Sequence, residues 1–156
     1  MNCADFAQKD LDKKLKEALE CLLDNDSYLL KKDLNERSIS HRLAMYLQQM
    51  FDGWDVDCEY NKDHDVTKKL VNFPKQIPSD DTNAKTVYPD IIIHHRGTTD
   101  NLLVIEMKKT TNNDRHDNDK QKLNAFKEEG LRYCHAVALK LRTGCEDYGI
   151  EELVFI

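Results

Sequence analysis

Pro89-Asp90-Ile91-Ile92-Ile93-His94-His95-Arg96-Gly97-Thr98-Thr99-Asp100-Asn101-Leu102-Leu103-Val104-Ile105-Glu106-Met107-Lys108 is the stretch that decides the fold. Ile91 to Ile93 and Leu102 to Ile105 are aliphatic, β-branched-rich runs, and Arg96-Gly97-Thr98-Thr99-Asp100 between them is turn material. A hairpin with Thr98 near its tip sets Asp90 opposite Glu106, where cross-strand Cβ atoms stand about 4.5–5.5 Å apart. Side chains alternate between faces, so Glu106 and Lys108 share the face of Asp90. Two carboxylates that close repel by roughly 3 kcal/mol at an effective dielectric of about 20. A neighbouring ammonium offsets part of that repulsion and a divalent cation offsets more. Mg²⁺, at about 2.0–2.1 Å from its oxygens, usually takes only one or two carboxylates, and Asp90 and Glu106 can both reach one ion. The same spacing also suits a hairpin whose ends simply carry solvated charge.

Pro89-Asp90, an apolar strand, a turn, a second apolar strand and then Glu106-Met107-Lys108 resemble the signature of the PD-(D/E)xK nuclease superfamily. Met107 fills the variable position, and Lys109 follows Lys108. The resemblance implies an α/β fold of the restriction-endonuclease-like kind: an αβββαβ core with a central mixed sheet flanked by helices. That core would span about residues 35–141, with an extra helix before it. It also implies hydrolysis of nucleic-acid phosphodiesters with Mg²⁺ or Mn²⁺ held by Asp90 and Glu106. Lys108 would orient the attacking water or stabilise the transition state. A glutamate on the helix before the sheet is a further ligand in many members, and Glu36 is the candidate here. No strong Gln motif follows on the last helix, which leaves the subfamily open. The alternative is a catalytically silent module of the same fold that binds nucleic acid or a protein partner. Metal-dependent chemistry on a non-nucleic substrate is a third reading.

The 156 residues suit one domain with a single core and leave no room for a separate recognition domain. A third of the chain is charged and 40% is apolar, an ordinary globular balance. No apolar run approaches the ~18 residues needed to cross a membrane, and Met1 to Lys9 lacks the order of a signal peptide, so a cytoplasmic protein is expected. The five cysteines have neither CxxC nor Cys/His metal spacing, which argues against structural zinc and against a disulfide framework. Cys58 and Cys134 lie in strand-like runs and read as small buried hydrophobes. The net charge of −6 speaks mildly against a nucleic-acid partner. Lysines and arginines nevertheless gather from Lys68 to Lys85 and from Lys108 to Lys122, which allows a local basic rim. The nucleic acid could be DNA or RNA. One chain cuts one strand, so cleavage of a duplex would call for a homodimer.

Outward from the hairpin, Asp5 to Leu23 predicts an amphipathic helix through Leu11, Leu15, Leu19, Leu22 and Leu23, ended by Asp24-Asn25-Asp26-Ser27. A second helix is predicted from about Asn35 to Phe51, with Ile39, Leu43 and Leu47 inward and Gly53 closing it. Glu36 has two readings. Asp33-Leu34-Asn35-Glu36 fits a capping box, in which the glutamate satisfies a local backbone donor. Its spacing to Ile39 and Leu43 also places it on the core-facing stripe, within reach of the metal site. His41 and Arg42 on this helix could meet phosphate or lie in solvent. Trp54 to Tyr60 alternates as a half-exposed strand whose acidic row, Asp55, Asp57 and Glu59, reads as its solvated side. Glu59 is also a candidate partner of the site, because this strand should pair with the hairpin. His94 and His95 point to opposite faces and read as simple edge residues.

Residues 61–87 predict a long irregular loop, either a flap over the site or a plain insertion. Asn118 to Gly130 predicts a helix with Leu123 and Phe126 inward. Asp119 and Lys122 lie beside that thin stripe, facing either the site or surface partners. His135 to Leu141 is a buried strand reached by a parallel crossover, and Glu152 to Ile156 is a last short strand.

Overall fold

The computed structural model describes residues 3–59, 70–71, 86–87, 89–112, 117–128 and 132–156. It is an α/β structure with a five-stranded mixed sheet between helices. After a single 3-10 turn at Cys3–Asp5 come α1 (Gln8–Asn25), α2 (Ser27–Lys31) and α3 (Glu36–Met50). Then follow β1 (Asp55–Cys58), β2 (Leu70–Val71), β3 (Thr86–Val87), β4 (Ile91–His94), β5 (Asn101–Lys109), α4 (Asp117–Glu128), β6 (His135–Arg142) and β7 (Gly149–Phe155). The main sheet runs β1-β4-β5-β6-β7, and its only parallel pair among the described residues is β5 with β6.

The hairpin forms in the register that counting predicts. Ile91 pairs with Ile105, Ile92 with Val104 and Ile93 with Leu103, so the next step outward sets Asp90 beside Glu106. Gly97, at φ +72°, makes the turn, a conformation that costs glycine little. Toward the tip the register shifts between Ile93 and His94.

Alternation divides the core into two. Ile91, Ile93, Ile105 and Met107 face α1 and α3, whose Leu15, Leu19, Leu43 and Leu47 are fully or almost fully buried against them. Ile92, Val104 and Ala136 face α4 through Leu123 and Phe126. Each buried aliphatic side chain contributes roughly 1.5–3 kcal/mol, so the first face carries most of the stability and α4 rests on a small contact.

Several expectations change. The first helix runs on to Asn25, and α2, an extra turn of helix, follows where the sequence suggested only an ending. Cys134 is exposed, immediately before β6, and is joined to Cys3 in a disulfide with Cα atoms 6.4 Å apart; Cys58 is only half-buried. The bridge unites residues 131 apart, a pairing that local cysteine spacing could not announce. Of the long loop, only β2 and β3 are described, paired with each other as an antiparallel two-stranded ribbon; the expected flap otherwise lies outside the described residues. No described helix is long and apolar enough to cross a membrane.

Candidate functional site

Asp90 stands immediately before β4, and β5 carries Glu106 past the same point. Asp90 Oδ2 accepts the amide hydrogen of Met107 at 2.9 Å, and the Asp90 amide donates to Glu106 Oε1 at 3.3 Å. The two acids are therefore locked side by side through each other's strands. Glu106 is almost wholly buried, at 3% exposure, while Asp90 is half-buried. Burial pushes the Glu106 carboxyl well above the usual carboxylate range, and the charge of Asp90 pushes the same way; Lys122 opposes them without reversing the direction.

Lys122 reaches Glu106 Oε2 from α4, with Nζ 2.7 Å away. Lys122 is thus turned toward Glu106 and is half-buried there. The side chain of Asp119, one turn earlier, lies outside the described residues. Lys108 follows Glu106 by two positions on β5, on the face of Val104 and α4, and is half-buried.

Glu36 approaches from the other face of the sheet, at the first position of α3. The cap of that helix is Asn35, whose Oδ1 accepts from the Ser38 amide at 2.8 Å, so the local capping-box role proposed for Glu36 is not the one it plays. Glu36 Oε1 instead accepts from Asn112 Nδ2 at 2.8 Å and from the Lys109 amide at 3.4 Å. It holds the outgoing end of β5 to the start of α3. Lys109 adds a second tie, its Nζ donating to Leu34 O at 3.0 Å and lying 3.1 Å from Asp33 Oδ1.

Glu36, Glu59 and Asp90 border one cavity of about 410 Å³, together with Asn35, Arg37, Ser40 and Cys58. Glu59 is held at φ +49° with its amide on Asp90 O at 3.1 Å, and its carboxylate pairs with exposed Arg37 at 3.3 Å. Its backbone thus anchors the residue it was expected to assist. Burial raises the Cys58 thiol to about 11, with the nearby acids adding to the effect, so it stays protonated and inert at neutral pH. His41 is exposed on α3 and is not among the residues lining this cavity.

The two histidines of the hairpin are not edge residues. His94 is completely buried, with Nε2 2.7 Å from Asp57 Oδ2, and Arg96 donates to both Asp57 oxygens at 2.9 and 2.5 Å. Asp57 is consequently only 15% exposed, which corrects its assignment to a solvated row. His95 stacks on Trp54 at 3.8 Å and bonds Asp100 and the Gly53 carbonyl. Both rings are committed to joining β1 to the hairpin.

Among the described residues, no group of three or more His, Cys, Asp or Glu side chains is arranged to hold a metal ion. What the site offers is a pair of hard oxygen donors, Asp90 and Glu106, with Lys122 against the second. That donor set suits Mg²⁺ or Mn²⁺, which complete their shells with water and phosphate oxygens, and does not suit zinc, which favours nitrogen and sulfur. Comparison of the chain with family models, with curated proteins and with solved structures returned no match.

Proposed function

We propose that the chain is a metal-dependent nuclease, a short member of the PD-(D/E)xK superfamily, hydrolysing phosphodiester bonds of DNA or RNA. The observation that carries the reading is the Asp90–Glu106 pair: two carboxyl groups locked together through the Asp90 and Met107 backbone amides, one of them almost wholly buried. The order helix, strand, hairpin, helix, strand, with β4 and β5 antiparallel and β5 and β6 parallel, supports a restriction-endonuclease-like αβββαβ core.

In this reading Asp90 and Glu106 hold Mg²⁺ or Mn²⁺. The bound ion supplies Lewis acidity, polarising a phosphoryl oxygen and lowering the pKa of a coordinated water. Lys108, on the same face, places a positive charge where the transition state gains negative charge. Asp90 keeps its position because one oxygen is spent on the Met107 amide, which leaves the other for a cation. Glu36 borders the cavity beside Asp90, and as a third ligand it would have to exchange its bond to Asn112.

The test is incubation of the purified protein with single- and double-stranded DNA and RNA in Mg²⁺ or Mn²⁺, beside Asp90→Asn and Lys108→Met. Cleavage by the parent that both variants lose is the expected result. Nucleic-acid binding without cleavage under every condition would favour the silent module instead. Absence of both cleavage and saturable Mn²⁺ binding would remove the reading.

A further inference from the structure

Lys122 stands where the acid pair most needs a positive charge, and it is delivered there by a separate element. Its Nζ is 2.7 Å from Glu106 Oε2, and the two side chains are 16% and 3% exposed. The lysine is carried by α4, which packs against the sheet through Leu123 and Phe126 on Ile92, Val104 and Ala136. The ammonium carries one unit of charge, and it lies against Glu106 Oε2. Asp90, whose Oδ2 is engaged by the Met107 amide, lies beside Glu106 and pushes the carboxyl of that residue up despite the lysine. A divalent cation carries twice the charge and can take oxygens from both acids. It cannot occupy the space around Glu106 Oε2 while an ammonium lies there, because the two cations repel and want the same lone pairs.

We propose that Lys122 is a resident counter-ion that competes with the divalent cation for Glu106, and thereby sets the metal affinity of the site. This rests on the reading of Asp90 and Glu106 as metal ligands. In the metal-free protein Lys122 offsets part of the charge that would otherwise force the strands apart. When metal enters, the lysine gives up Oε2 and its amine is released from the buried contact. Positioning of α4 and occupancy of the site are therefore coupled.

Calorimetric titration of Mn²⁺ into the parent protein and into Lys122→Gln tests this directly, since the amide keeps a donor for Glu106 without the charge. The variant is expected to bind Mn²⁺ on the order of tenfold more tightly, from removal of a like charge near the ion. Equal or weaker binding by the folded variant would overturn the proposal, because Lys122 would then be orienting Glu106 for the metal rather than opposing it. A second measurement uses the unaltered protein, so it stands if the variant does not fold. Reductive methylation of Lys122, read by mass spectrometry, is expected to accelerate severalfold at Mg²⁺ concentrations that displace bound Mn²⁺. Unchanged or slower methylation at those concentrations would also overturn it. If neither protein binds Mn²⁺ saturably, the metal-site reading itself fails, an outcome distinct from equal binding by both.

Discussion

Asp90 Oδ2 accepts the Met107 amide at 2.9 Å, so the first acid of the hairpin also caps the strand that carries the second. Asp90→Ala leaves that amide, on a residue 2% exposed, without its acceptor, at a cost of about 1–3 kcal/mol. Asp90→Asn retains an oxygen acceptor and loses only the charge. Urea unfolding should show a clear loss for the alanine variant and a much smaller one for asparagine, while calorimetry shows both losing Mn²⁺ binding. Wild-type Mn²⁺ affinity in Asp90→Asn would reduce this residue to a strand cap.

Asp57 dominates the acid limb of stability in the β1–hairpin junction. Burial alone would raise its carboxyl, but the hydrogen bonds from His94 and Arg96 outweigh it and hold the group well below the usual range. The folded chain then binds fewer protons than the unfolded one, whose aspartates titrate at about 3.9. The contribution is present in full above that value and is lost as pH falls through the depressed one. Asp57→Asn should cost roughly 1.5–3 kcal/mol at neutral pH, from lost charged hydrogen bonds, and should flatten the decline in urea midpoint below about pH 4. An unchanged acid limb in the variant would contradict the assignment.

Helix α4 depends on few apolar side chains, of which Phe126 is the largest that is fully buried. Phe126→Ala should cost about 3–5 kcal/mol. Amide exchange should accelerate across residues 117–128 well before it does in α1, whose five buried residues are held by the larger core.

The Cys3–Cys134 bridge closes a very long loop, for which chain entropy gives more than about 4 kcal/mol as an upper guide. Cys3→Ser should lower the unfolding midpoint under non-reducing conditions and match the parent protein in dithiothreitol. Thiol counting that finds both cysteines free, with no effect of reductant, would rule the bridge out.

The hairpin and its acids were legible because the signals are local. Period-two alternation and a glycine turn specify a register, and counting from Thr98 is enough to bring Asp90 to Glu106. What the sequence misplaced depends on partners far along the chain. Asp57 looked solvated because alternation on β1 says which side it takes, while only the fold says that His94 and Arg96 await it there. Glu36 fits a capping box, yet Asn35 takes the cap and Glu36 serves a strand end more than seventy residues on. Lys122 required the rotational setting of α4, which a two-residue stripe fixes only loosely.

The parallel pairing of β5 with β6 has a kinetic consequence. β4 and β5 are joined by a short turn and can meet within microseconds, whereas β6 must wait for the chain to traverse α4 and return. The acids would thus come together in water, where their repulsion is weak, and be enclosed only when the crossover docks and brings the lysine with it. Sequence order alone would spare the nascent chain the electrostatic cost of assembling this corner in the dry.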